Sequence, residues 1–232
     1  MNTLLQALTD ALQLLFSFNP ELWEIVGLTL RVTGFGLLFA MILGIPVGAG
    51  LGLTRRIPAA GCLVPLIYTG MGLPPVVVGL VVYLMLSNQG PLGDLDWLFT
   101  PRAMVLAQTL IALPLIVGLT LTAVQATDPL LHLQVRSLGA TRRQLIWTVL
   151  RETRIGVFAA IVAAFGSIIS EVGAVMLVGG NIQGETRVLT TAIVLETRKG
   201  EFALALALGV ILLLLAFVTN LGLYWLQRQE GN

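Results

Sequence analysis

A chain of 232 residues with 56% hydrophobic side chains, 11% charged ones and a mean hydropathy of +0.93 cannot be an ordinary soluble globular domain. The single cysteine, Cys62, excludes an intramolecular disulfide and offers no metal cluster. The net charge of +1 says nothing about partners by itself, and no nucleic-acid partner is expected. The composition points to an all-α integral membrane protein in contact with lipid.

In chain order, residues 1–19 read as an amphipathic helix. Leu4, Leu5, Leu8, Ala11, Leu12 and Leu15 recur at helical spacing, with Asp10 on the other face. A signal peptide is the competing reading, but no basic start precedes the apolar residues and no small-residue cleavage site follows. Residues 1–20 are therefore expected to form an interfacial segment on the outer face, and 21–227 the transmembrane domain. Five runs almost free of charge, 32–54, 57–93, 103–127, 155–170 (extended past Glu171 to 180) and 202–227, can each supply the roughly 20 apolar residues that a spanning helix needs.

The first run carries Gly36, Ala40, Gly44, Gly48 and Gly52, each four residues from the last. That strip of small side chains lets another helix approach closely, either within the subunit or in a second copy. Arg31 sits where it can snorkel to the outer interface, and Pro46 is expected to bend the helix. The second run is interrupted by Gly70-Met71-Gly72-Leu73-Pro74-Pro75. Such a break is tolerated at membrane depth only where protein or a wet cavity supplies hydrogen-bond partners. Pro74 and Pro75 are thus candidates for a translocation path, with a structural kink as the alternative. Residues 88–102 form a turn-rich outer loop with Trp97 and Phe99 suited to the membrane interface.

Residues 128–154, DPLLHLQVRSLGATRRQLIWTVLRETR, form the long polar interruption between two apolar halves. Asp128 can N-cap a helix with Pro129 in its first turn, and Gly139 can supply the left-handed residue that ends it. Thr141 and Gln144 have capping-box spacing and start a second helix through Leu145, Ile146, Val149 and Leu150. The resulting knuckle carries Arg136, Arg142, Arg143, Arg151 and Arg154 against Asp128 and Glu152. With Arg55, Arg56 and Arg228 it places eight of the 13 basic residues on one side, against Arg31, Arg102, Arg187, Arg198 and Lys199. The positive-inside rule then puts the knuckle (128–154) and the tail (228–232) in the cytoplasm and the N-terminus outside.

Beyond the knuckle, Gly156, Ala160, Ala163, Ser167 and Ser170 suggest a second small-residue face. Glu171 is a lone carboxylate deep in this span. It would repel an anionic cargo, so a structural role, hydrogen-bonded or salt-bridged between helices, is favoured over a functional one. Gly179, Gly180, Asn181 and Gly184 mark turns in an outer loop at 180–201, and 190–195 suggests a short helix at or dipping into the outer leaflet.

The knuckle resembles the cytoplasmic signature of ABC-importer permeases: a Glu-Ala-Ala triplet, a glycine after three residues, then an apolar stretch about nine residues on. Here the corresponding residues are Leu133-Gln134-Val135, Gly139 and Val149-Leu150. The glycine, its spacing and the apolar positions match, whereas the triplet and the family's later proline are absent. Residues 170–209 add a more specific likeness, running Ser-Glu-Val-Gly-Ala, Gly-Asn-Ile, Gly-Glu-Thr, Val-Leu-Thr-Thr-Ala-Ile-Val-Leu-Glu-Thr and Phe-Ala-Leu-Ala-Leu-Ala-Leu-Gly. From Thr29 to the last helix the chain resembles permeases of oxyanion importers, closer to the tungstate than to the molybdate or sulfate branch.

That resemblance implies the type I ABC-importer permease architecture, with about five spans and a cytoplasmic coupling helix, in a prokaryotic inner membrane. It also implies a second copy of the chain, two ATPase subunits and an extracytoplasmic oxyanion-binding protein. Leu133, Gln134, Val135, Arg136, Gly139, Ala140, Arg142 and Arg143 would couple to the ATPase. Pro74, Pro75, Glu171 and Gly173 would border the path; Asn181, Gly184, Glu185 and Arg187 would meet the binding protein. ATP and magnesium would be used by the partner, since the chain has no Gly-x-x-x-x-Gly-Lys-(Ser/Thr) loop of its own. No cofactor, metal or catalytic residue is expected in this subunit. An intramembrane enzyme is disfavoured because His132, the only histidine, lies in the knuckle and Glu171 is the lone acid within the spans. A passive channel, which would work without ATP, is the other rival.

Overall fold

The computed structural model describes Thr9, Gln13 and residues 20–54 and 60–230. The expected interfacial helix at 1–19 and the basic pair Arg55 and Arg56 lie outside these, apart from the two isolated positions. The described residues form α1 (Pro20–Gly52), α2 (Ala60–Met71), α3 (Pro75–Leu86), a short 3-10 turn (Gly93–Leu95) and α4 (Pro101–Gln125). They continue through α5 (Pro129–Ser137), α6 (Arg142–Glu152), α7 (Arg154–Ile169), α8 (Gly173–Gly179), α9 (Leu189–Lys199) and α10 (Phe202–Glu230). Three helices, α1, α4 and α10, are long and apolar enough to cross a membrane alone. Counting each bent pair, α2 with α3 and α6 with α7, as one span gives up to five.

The first helix begins at Pro20, beside the expected start of the transmembrane domain at 21 and about three turns before the charge-free run at 32. Glu21 and Glu24 stand near its start. Placed in its first turns, they favour the helix by opposing the macrodipole. The helix passes through Pro46 without interruption.

Helix α4 is the centre of the bundle, with α1, α2, α3, α7 and α8 packed around it. The glycine strip of α1 lies on it, within the same chain. A Cβ built at Gly36 would meet Gln108 Cβ at 2.9 Å, at Gly44 Ile116 Cγ2 at 2.9 Å, at Gly48 Thr120 Cβ at 2.8 Å, and at Gly52 Val124 Cβ at 2.7 Å. The two helices run parallel in constant register, 44, 48 and 52 opposite 116, 120 and 124. Ala40 and Ala112 are both fully buried in the same cluster. Lipid tails are as apolar as leucine, so this close approach and its dispersion contacts, rather than hydrophobic transfer, hold the pair. Of the second small-residue face, Gly156 packs on Ala123 and Ala160 is buried, whereas Ala163 and Ser170 are exposed.

The second run is not one loosened span but two helices bent by 98°. Gly72 and Leu73 close the end of α2 through bonds to Tyr68, Thr69 and Gly70 carbonyls, and Pro74 N-caps α3 with Pro75 in its first turn. Pro75 lacks the N–H that would continue a helix, so the chain turns here. Near the middle of the bundle, Gly79 of α3 sits so close to Ala174 of α8 that no side chain fits between them.

Helix α9, which contains the short helix expected at 190–195, packs into the bundle. Leu189, Thr190, Thr191, Ala192 and Glu196 are buried against α1 and α10. Its hydroxyls make that burial tolerable. Thr190 Oγ1 donates to the Glu171 carbonyl (2.9 Å), and Thr191 Oγ1 accepts from Val188 N and donates to Val188 O. Leu189 N donates to Thr29 Oγ1 of α1 (2.9 Å). Buried polar groups with partners avoid most of the desolvation cost.

Candidate functional site

The knuckle forms as its caps dictate. Asp128 Oδ1 accepts from Leu130 N at 2.8 Å to start α5, and Gly139, at φ +78°, ends it while donating to the Arg136 carbonyl (3.0 Å). Thr141 and Gln144 close a capping box at the start of α6. One side of the knuckle anchors it: Leu145 and Val149 are buried with Ala49 and Val124, and Leu131, Val135 and Leu150 pack on them. Burying two such side chains contributes on the order of 3–6 kcal/mol, enough to make the knuckle move with the ends of α1 and α4.

The other side is bare. Leu130, Leu133 and Leu138 are exposed, Leu138 to 86%, beside exposed Gln134, Arg136, Gly139, Arg142 and Arg143. Ala140 is half-buried. Of the eight residues assigned to coupling, only Val135 and Ala140 face partly inward. This side thus sets bare apolar side chains among guanidinium groups on a short, capped helix.

The break between α2 and α3 opens a cleft of about 570 Å³. Gly70 to Pro75 form one wall, Leu110, Ile111, Pro114 and Leu115 of α4 another, and Ser167 of α7 reaches it. Pro74 and Pro75 line it, and no lining residue is charged. Glu171 and Gly173 do not line this cleft. They sit at a second break, between α7 and α8, where Gly173 approaches Val76 of α3. Glu171 is hydrogen-bonded, though locally: its Oε1 accepts from Ala174 N at 2.9 Å, and its carbonyl takes the Thr190 hydroxyl. No ion pair joins it to a basic residue among the described residues. The two breaks meet through α3 and α8, so the path candidates occupy adjoining places without forming one pocket.

The sequence reading missed Gln108 and Ser167. Gln108 is 3% exposed, and its Nε2 donates to the Ile168 carbonyl (3.2 Å), which also accepts from Glu171 N at the end of α7. An amide well inside the charge-free run 103–127, away from its ends, was the available signal. Ser167 had been counted only for its small size.

The outer loop is tied to the start of α1. Gln183 Nε2 donates to Glu21 Oε1 at 2.9 Å, and Arg187 faces the same oxygen at 3.8 Å. Thr186 Oγ1 accepts from Ile182 N and donates to the Gly179 carbonyl, closing the turn. Gly180, Asn181 and Gly184 all have positive φ, as their turns demand. Gly184 and Glu185 are exposed with Ile182 and Gln183, whereas Asn181 and Arg187 are half-buried. Of the four residues assigned to a binding-protein contact, two thus form the loop's outer surface and two support it from beneath.

Comparison with known proteins adds to this geometry. Residues 40–230 match the family described as binding-protein-dependent transport system inner membrane component. The chain is 38% identical to the tungstate uptake system permease protein TupB of Peptoclostridium acidaminophilum, over 99% of this chain and 100% of that one. It is 43% identical to a probable anion ABC transporter permease protein of Haloferax volcanii (90% and 92%), and 32% identical to the molybdenum transport system permease protein ModB of Escherichia coli strain K12 (90% and 95%). Among solved structures, a bacterial ABC transporter involved in the import of alginate shares the fold at a TM-score of 0.75 and 21% identity, covering 95% of this chain and 83% of that one. The MetNI methionine ABC transporter does so at 0.69 and 19%, covering 90% and 94%. The helical bundle has the fold of these transporter subunits, and the chain belongs to the family of binding-protein-dependent transport system inner membrane components.

Proposed function

We propose that this chain conducts a tetrahedral oxyanion, tungstate first and molybdate second, as the membrane subunit of an ATP-driven importer. Two identical copies would stand over two ATPase subunits and beneath an extracytoplasmic binding protein. The cargo reading rests on the tungstate permease of P. acidaminophilum, similar over its whole length, against the lower identity of the molybdenum permease. The uncharged cleft at Gly70–Pro75 supports it as well, since no carboxylate there would repel an anion.

The observation that carries the ATP-driven mechanism is the bare apolar surface of α5 on a knuckle anchored to α1 and α4. Closure of two ATPases around nucleotide and magnesium would drag α5. Because Leu145 and Val149 lock the knuckle to α1 and α4, the pull would tilt those spans rather than flex a loop. The α2–α3 face, with Leu66, Tyr68, Val76, Val77, Leu80 and Leu84 exposed, supports contact with the second copy, leaving the cleft near the shared axis. In this reading the knuckle and C-terminus are cytoplasmic, the N-terminus is outside, and Gly184 and Glu185 face the binding protein.

The test is uptake by proteoliposomes holding this permease with the ATPase and the binding protein of the same importer. ATP-dependent accumulation of tungstate, exceeding that of molybdate and sulfate at equal concentration, is expected. Flux that persists without ATP would instead mark a passive channel.

A further inference from the structure

At the end of the bundle opposite the knuckle, a groove of about 480 Å³ runs between α1 and α4. Its floor and walls are Phe35, Phe39, Leu43, Val105 and Leu106, and its mouth is framed by Arg31, Arg102 and Trp97. From Arg31 to Leu43 the helix covers about 18 Å at 1.5 Å per residue. Half the hydrocarbon core of a bilayer is about 15 Å. The groove therefore has the length of one acyl chain and ends near the midplane. Phe35 and Phe39 are stacked along it, with centroids 6.4 Å apart.

The mouth carries charge without compensation. Arg31 and Arg102 are exposed, and no ion pair among the described residues joins either to a carboxylate. Arg102 also stands in the first turn of α4, where the helix dipole disfavours a cation and favours an anion. Trp97 stands at the same mouth, and indole rings prefer the headgroup region. Two guanidinium groups above a dry aromatic slot match one phosphodiester with its acyl chain below.

We propose that this groove is a binding site for an anionic phospholipid of the leaflet opposite the knuckle, its phosphate held by Arg31 and Arg102 and one acyl chain along Phe35 and Phe39. A seated lipid would line the α1–α4 seam on its outer side, beside the glycine contacts that set its register.

The site is tested on the full chain in nanodiscs, with Trp23, Trp147 and Trp225 replaced by phenylalanine so that Trp97 alone fluoresces. Dibrominated phosphatidylglycerol should quench Trp97 at a mole fraction about tenfold lower than dibrominated phosphatidylcholine, given roughly a tenfold or larger preference from two basic side chains near the surface. In the Arg31→Gln/Arg102→Gln variant, checked for intact folding by its elution and helicity, that difference should vanish. Equal quenching by both lipids overturns the proposal. So does a preference that survives the double substitution, or an absence of quenching, which would mean that residues 1–19 or a second copy cover the groove.

Discussion

Gly139 and Glu171 show how single residues can be tested for what their surroundings make them do. Gly139 has a φ of +78° and nothing within 4 Å of a built Cβ, so a substitution there costs conformation and not space. A left-handed backbone costs an L-residue about 1–2 kcal/mol, more for a β-branched one. Gly139→Val is expected to leave insertion intact and raise the ATP hydrolysed per ion imported, while Gly139→Asn stays near the native ratio; unchanged coupling in the valine variant would refute the role of the bend. For Glu171 the local hydrogen bond predicts that Glu171→Gln keeps both stability and transport, because an amide oxygen still accepts from Ala174 N. Glu171→Ala should lose about 1 kcal/mol, as for other lost caps, read as a lower Tm in detergent. Transport abolished by the glutamine would show that the charge itself is needed.

At the scale of elements, the seam between α1 and α4 makes a sharp prediction. Gly48→Val would drive a side chain into the Val117 carbonyl, 2.6 Å from the built Cβ, and cost about 1–3 kcal/mol by overpacking. Gly50→Ala, on the same helix with nothing within 4 Å, should cost nothing. Thermal unfolding of the two variants separates them, and equal stability would contradict the seam. This seam was legible as a four-residue repeat of small side chains, although repetition alone could not say whether its partner was α4 or a second copy. The break at Gly70–Pro75 was legible too, because proline removes a backbone donor wherever it falls. Its angle was not, since a bend is set by what packs on either side. The burial of α9 escaped because Thr190, Thr191 and Glu196 are polar side chains whose partners a linear pattern does not reveal. Their partners are Glu171, Val188 and Lys199, and the first of these, 19 residues away, is visible only in three dimensions.

For the whole molecule, two features have to work together: a cleft where a span is broken and a knuckle bolted to the helices beside it. Of the candidate site, the knuckle was legible almost residue by residue because caps are local chemistry. The supporting roles of Asn181 and Arg187 were not, because they depend on how the outer loop folds back on α1. The account stands on the knuckle facing the nucleotide side and gripping a motor there. Its most direct measurement is labelling of a Leu138→Cys, Cys62→Ser chain by a membrane-impermeant maleimide in vesicles of known sidedness. The account predicts modification only in inside-out vesicles, and protection when the ATPase is bound; labelling in right-side-out vesicles, or labelling indifferent to the ATPase, would contradict it.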